Sequence, residues 1–275
     1  MQIENRRQRT PSQWACALLA AAALGAAAPA HADVERFAYT YGWQTPTKGE
    51  AELEIKHTQP KSGHFLQDSA SVEYGITDRW MIEPYIVYNH SGGFKDVPDS
   101  TGSVDADDGG TGGGDGAAIF DPIRIGSGYR YGGFQVETRY RFGDYGYKKL
   151  QTSAYLEYEQ LRREGNEVEG KLIFQYDPNE SSDLVFNLIT EQPLRKGAPA
   201  EWGYSFGATY LADKKSNRYW VGGEAWGNWS EKQHFIGPSV GGYIGKSTRL
   251  VGTYGFQTQG VGGDQFRVMV SQELN

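Results

Sequence analysis

The sequence predicts an all-β fold, a closed antiparallel transmembrane β-barrel of about twelve strands with a long Gly/Asp-rich extracellular loop. Three observations carry this. Short segments alternate apolar and polar residues with period two along most of the chain. The apolar faces of these segments hold no Asp, Glu, Lys or Arg, although such residues make up 22% of the chain, as a wall facing lipid demands. After residue 32 no apolar stretch approaches the roughly 18 residues of a spanning helix. A chain that crosses a membrane must then close its strands on themselves, so that every backbone group finds a partner.

Taken from the amino end, Arg6, Arg7 and Arg9 precede the apolar run Trp14 to Ala28, and Ala30-His31-Ala32 has the small-x-small pattern. Residues 1–32 therefore read as an export signal, cleaved after Ala32, that sends the chain to the bacterial outer membrane. The single cysteine, Cys16, lies in that leader, so disulfides and thiolate or Cys-metal chemistry are excluded from the exported chain. Loss of Arg6, Arg7, Arg9 and Glu4 takes the formal charge from −7 to −9. An acidic chain without a basic cluster is no partner for nucleic acid. Residues 33–49 include Phe37-Ala38-Tyr39-Thr40-Tyr41-Gly42-Trp43, which also alternates. Counting it as a strand would make the total odd, against the even number of such barrels. It reads as a periplasmic lead-in, an occluding lumenal segment or half of an extra hairpin. The barrel itself is assigned to residues 50–275.

Within the barrel, the apolar phase of each segment sets its outward face. Representative outward sets are Trp80, Ile82, Pro84, Ile86 and Tyr88; Val168, Gly170, Leu172, Phe174 and Tyr176; and Trp202, Tyr204, Phe206, Ala208 and Tyr210. Aromatics at both ends of such sets fall where the two interfacial girdles belong, since eight residues of a tilted strand rise on the order of 20 to 25 Å. On this phase Leu172→Arg should impair folding far more than Lys171→Leu. The opposite face carries Glu52, Glu54, Lys56, Glu73, Glu83, Glu137, Arg139, Arg141, Glu157, Glu159, Glu169, Lys171, Glu224 and Arg267, together with Glu167, Glu191, Glu201, Arg218, Arg249 and Glu273. These are expected to line a polar, hydrated lumen in which carboxylates exceed basic groups. Arg139 and Arg141 should partly cancel Glu157 and Glu159, leaving the wall around Glu52, Glu54 and Glu73 to set the sign.

Connection lengths give the topology. Thr77-Asp78-Arg79 is a tight turn, whereas the next connection runs from Asn89 to Gly133. Short turns face the periplasm and long loops the exterior. Both ends of the barrel are then periplasmic, and Ile119 to Tyr131 is read as a hairpin over the mouth.

Asp105-Ala106-Asp107-Asp108-Gly109, continuing to Gly116, gathers four carboxylates among glycines, but Gly116 stands where a calcium loop needs a bidentate Glu. It reads as an acidic surface loop. Asn89-His90-Ser91 sets a Ser beside a His, while barrel lipid hydrolases space the two further apart. His57 and His234 show no Ser and Asp or Asn neighbours on their faces. No catalytic residue, metal site or cofactor is expected.

The stretches Pro46-Thr47-Lys48-Gly49-Glu50, Glu73-Tyr74-Gly75-Ile76-Thr77-Asp78-Arg79-Trp80, Tyr140-Arg141-Phe142 and Tyr155-Leu156-Glu157-Tyr158-Glu159 resemble a family of poorly characterised bacterial outer-membrane barrels. The chain looks distantly similar to those associated with the meta-pathway of phenol degradation. The resemblance spans most of the exported chain and implies membrane location and passive uptake of small organic compounds. It departs at the carboxyl end, which reads Leu274-Asn275 where such barrels usually carry Phe or Trp. The expected function is a porin-like channel for small solutes. The expected partners are outer-membrane lipid, small solutes and, during biogenesis, periplasmic chaperones and the barrel-assembly machinery. Two alternatives stand beside it: a lipid-modifying enzyme of the lipase or lipid A deacylase type, and a plugged barrel with a structural or adhesive role.

Overall fold

The computed structural model describes residues 35–61, 66–91, 128–161, 165–212 and 218–274. The leader and the acidic 105–116 loop lie outside them. Twelve strands follow one another: β1 (Ala51–Pro60), β2 (Leu66–Thr77), β3 (Trp80–Ser91), β4 (Gly128–Phe142), β5 (Leu150–Leu161), β6 (Gly165–Asn179), β7 (Ser182–Pro193), β8 (Glu201–Leu211), β9 (Tyr219–Asn228), β10 (Gln233–Ile244), β11 (Thr248–Gln259) and β12 (Gln265–Leu274). Each pairs antiparallel with its sequence neighbours, and β1 closes on β12 from Ala51↔Leu274 to Pro60↔Gln265. Closure leaves no unpaired edge, the condition for strands to cross lipid.

The predicted phase holds around the wall. On β5, Leu150 and Leu156 are 66% and 53% exposed, whereas Tyr155 and Glu157, either side of Leu156, are 3% and 0% exposed. Val240, Ile236 and Ile244 on β10 are likewise exposed. An outer surface this apolar is solvated by lipid rather than water. Trp80, Tyr140 and Phe142 band the end with the tight turns, and Tyr131, Trp202 and Trp229 the other. By the loop-length rule the first end is periplasmic and the second, which carries the 92–127 connection, extracellular.

One boundary differs from the sequence reading. Tyr88 pairs with Tyr131 and His90 with Tyr129, so Gly128 to Tyr131 is barrel wall rather than a hairpin over the mouth. The β3–β4 register matches Val87 with Gly133 but Tyr88 with Tyr131, so Gly132 is an extra residue that breaks the alternation of β4, which is why the period-two pattern stopped short. Residues 119–127 lie outside the described residues.

At the periplasmic end the chain enters β1 under tight steric control. Gly49 N–H donates to Gly75 O at 2.8 Å and Gly75 N–H to Glu50 O at 3.0 Å. A Cβ on Gly75 would stand 2.0 Å from Thr47 O, so any side chain forces that backbone away. Gly75→Val should therefore lower the yield of folded barrel severalfold, read as the heat-modifiable band on a gel; wild-type yield would show that the segment before β1 adjusts freely.

Candidate functional site

An eight-stranded barrel is filled by its own side chains, and sixteen strands leave an aqueous channel. Twelve strands leave room for one further segment, and here residues 35–45 occupy it. Trp43 is fully buried, and Phe37, Tyr39 and Tyr41 are 5% exposed or less. The segment makes a U-turn. Arg36 pairs with Asp183 and its carbonyl accepts Trp220 Nε1–H at 2.9 Å, both at the periplasmic starts of their strands. Ala38 to Tyr41 form the apex. Trp43 then returns towards the periplasmic end, where the Arg141 guanidinium lies 5.1 Å from its ring.

Polar groups of the wall hold the apex. The Glu224 carboxylate accepts the N–H groups of Ala38, Tyr39 and Thr40 at 3.0, 2.8 and 2.8 Å, and Thr253 Oγ1–H at 2.6 Å. Asn187 mimics a strand, accepting Tyr41 N–H at 2.9 Å and donating to Tyr41 O at 3.0 Å. Gln175 accepts Trp43 N–H at 3.0 Å. Arg139 donates to Gly42 O and Gln44 O at 3.3 and 2.9 Å, and Arg267 to Ala38 O at 3.2 Å. A segment without strand partners thus has many of its backbone groups satisfied by side chains, as buried amides require.

Aromatic packing does the rest. Tyr39 stacks on Trp226 at 3.9 Å, and Trp226 on Phe235 at 5.4 Å. The Tyr41 ring lies 3.8, 5.2 and 5.3 Å from Lys171, Lys56 and Arg139, each within cation–π range. Phe37 fits over Gly207, where a Cβ would meet its ring at 2.4 Å. The lumen is accordingly less polar than the sequence predicted. Two apolar clusters, Ala38 and Tyr39 with Trp220, Trp226 and Phe235, and Phe37, Tyr41 and Trp43 with Tyr155 and Ile173, fill it. The inward Trp220, Trp226 and Phe235 were the available signal, since a water-filled lumen has no use for them.

Of the candidate lumen residues, Glu52, Glu54, Lys56, Glu73, Glu83, Glu137, Arg139, Glu157, Glu159, Glu169, Lys171, Glu224 and Arg267 are all inward and buried. Arg141 instead sits half-buried at the periplasmic rim, donating through Nε to Asp78 O at 2.7 Å. Arg139 meets Glu137 and Glu35 at 2.9 and 3.1 Å. Lys171 meets Glu169 at 2.6 Å, Lys56 meets Glu54 at 2.8 Å, and Arg249 meets Glu52 at 2.6 Å. The wall near Glu52 and Glu54 is therefore compensated, and the excess of carboxylates moves to β5–β8.

The registers show how these carboxylates are arranged. Glu273 lies across from Glu52, and Glu52 from Glu73. The β2–β3 register that matches Ser71 with Tyr85 and Tyr74 with Ile82 sets Glu73 opposite Glu83. Glu83 then faces Glu137, Glu137 faces Glu157, Glu157 faces Glu169, Glu169 faces Glu191, and Glu191 faces Glu201. One glutamate per strand, over nine consecutive strands, forms a ramp. It climbs from the periplasmic rim at β12 and β1 to the extracellular rim at β8.

Other candidate chemistry is thinner. His57 does have an acidic neighbour, Asp68, with Nδ1 and Oδ1 2.6 Å apart, but its cross-strand partners are Asp68 and Val268 and neither is a nucleophile. The side chains of His90 and Ser91 lie outside the described residues. An apolar concavity of about 840 Å³ lined by Val221, Val240, Ile244 and Leu250 opens on the outward face.

No protein-family model matches the chain, and no curated protein matches it. Among solved structures it is similar to the KdgM porin, at 8% identity and a TM-score of 0.54, over 82% of this chain and 99% of that one. The KdgM porin in complex with disordered oligogalacturonate gives the same figures. The NanC porin follows at 9% identity and 0.52, over 81% and 100%. The fold is that of an outer-membrane porin. At such identities the likeness extends to the fold and no further.

Proposed function

We propose that this chain is an outer-membrane channel for small solutes, cation-preferring, whose lumen residues 35–45 close from the periplasmic side. The carrying observation is the pairing of an acidic wall with a lumenal segment held by separable side-chain contacts rather than by a place in the sheet. Withdrawal of that segment opens the path and breaks no strand pairing. The resemblance to barrels associated with phenol degradation favours small organic compounds as cargo, and the leader with Ala30-His31-Ala32 favours export by a cleaved signal. A permanently plugged barrel with a structural role is the second reading, favoured by the apolar packing of Phe37, Tyr39, Tyr41 and Trp43.

In a narrow lumen with low-dielectric walls, excess charge raises the local concentration of the opposite sign. Reversal potentials across a tenfold salt gradient should show cation preference, fading above about 0.1 M where the Debye length falls to roughly 10 Å. Glu191→Gln with Glu201→Gln should reduce that preference more than Glu52→Gln with Glu54→Gln, because Arg249 and Lys56 already balance the latter pair. An anion-selective pore ends this reading, and a barrel silent with and without the segment leaves the structural one.

A further inference from the structure

The concavity on the outward face of β9–β11 is a groove with a charged end. It holds about 840 Å³ and runs along β10 from Ile244 and Gly245 at the periplasmic rim to Pro238 near mid-strand. Its depth follows from an omitted side chain. Gly252 lies between Val240 and Val268 on the neighbouring strands, and a Cβ added to it would meet nothing nearer than Arg267 O at 3.9 Å. One row closer to the periplasm Gly242 has no such space, because the Tyr219 ring would stand 2.5 Å from its Cβ. Glycine inside a strand weakens it and marks places where another molecule approaches closely. Here β11 forgoes a packed side chain, and the result is a slot walled by Tyr219, Ile244, Tyr254 and Phe266.

Among the described residues, Arg218 is the one charged member of the lining. Alternation places it on the lumenal face, but it precedes β9 and is exposed. Its carbonyl accepts Tyr243 N–H at 2.9 Å, which fixes its backbone beside β10 at the periplasmic end. Lys246, also exposed, follows the lining residue Gly245 in the β10–β11 turn. From Ile244 to Pro238 the strand rises by roughly 15 Å at a tilt of about 40°. That is half of a hydrocarbon core about 30 Å thick, the reach of one leaflet.

We propose that this groove binds an anionic phospholipid of the periplasmic leaflet, with one acyl chain in the slot over Gly252 and the phosphate on the Arg218 guanidinium. Arginine pairs with phosphate oxygens through two parallel N–H donors. Lys246 adds a second positive charge at the same end, which selects a net negative headgroup over a zwitterionic one that brings its own cation. A second copy of this chain fits less well. Two copies inserted in the same sense are related by an axis along the membrane normal, so an isologous contact here sets concavity against concavity and one Arg218 towards the other. The site needs only the outward wall and stands whether or not the barrel conducts.

The test is native mass spectrometry of the full chain refolded in detergent micelles, titrated with dioleoyl phosphatidylglycerol or with dioleoyl phosphatidylcholine, which has the same chains and no net charge. One equivalent of phosphatidylglycerol is expected to bind at least fivefold tighter than phosphatidylcholine. Arg218→Gln should cut that difference to less than twofold, and Gly252→Leu, whose side chain fills the slot, should weaken both lipids at least fivefold. Gly170→Leu makes the same change on the outward face of β6, where the new Cβ lies 3.5 Å from Thr190 Cγ2, and should leave both lipids within twofold. Heat-modifiable mobility reports whether each variant folds, and the comparison of the two lipids on the unmodified chain needs no variant. Equal binding of the two lipids, no saturable binding, or equal effects of Gly252→Leu and Gly170→Leu overturn the site. A dimer that Gly252→Leu dissociates gives the groove to a second copy and overturns it as well.

Discussion

Deleting residues 35–45 is expected to turn a channel that is closed most of the time into one open most of the time, with mean conductance in planar bilayers rising by at least tenfold. Glu224→Ala should move it the same way with the segment still in place. That carboxylate accepts three backbone N–H groups within 3.0 Å, and charge-assisted bonds of this kind are the stronger ones. Without it three donors stay buried and unsatisfied, at about 1–3 kcal/mol each. A loss of about 3 kcal/mol already shifts a two-state equilibrium by roughly a hundredfold. Gly207→Val attacks the same seat by sterics, since its side chain would occupy the space of the Phe37 ring. Equal conductance of the full chain, the deletion and Glu224→Ala would show that the segment does not gate.

Leu172→Arg is expected to cost roughly 2–4 kcal/mol of barrel stability in bilayers, as a basic residue at the membrane midplane does. Leu172 is 49% exposed at the centre of β6, between Ala154 and Leu188 on the neighbouring strands. Leu172→Met, which keeps the site apolar, should stay within about 1.5 kcal/mol of the parent. Folding yield into lipid vesicles across a urea series measures both. The contrast with Lys171→Leu that the sequence suggested changes with the structure in view. Lys171 is 2.6 Å from Glu169 and 3.8 and 4.0 Å from the Tyr41 and Tyr155 rings. Its loss strands a buried carboxylate, an effect that reaches about 3–5 kcal/mol when desolvation is complete. The two defects are separable: Glu169→Gln should rescue Lys171→Leu and leave Leu172→Arg unchanged. Equal folding of Leu172→Arg and Leu172→Met would put that face of β6 away from lipid.

The sequence by itself determined the strand count, the face each strand turns to lipid and the end at which the tight turns lie. Each depends on neighbours within a few residues: alternation fixes phase, and a run such as Thr77-Asp78-Arg79 fixes a turn. It fell short on β4, where the extra residue Gly132 broke the period that reveals a strand. For Phe37 to Trp43 it left three readings open, because an alternating segment looks the same whether it pairs in a sheet or packs inside one. Only the tertiary structure decided that this segment fills the lumen, since its partners, Asn187, Glu224 and Arg267, lie more than a hundred residues away. The glutamate ramp has the same origin. Period two says that Glu137, Glu157, Glu169 and Glu191 face inward, but whether they stand opposite one another depends on how far each strand slides past the next. Turn lengths and barrel closure set that slide jointly, and no single stretch of sequence records it.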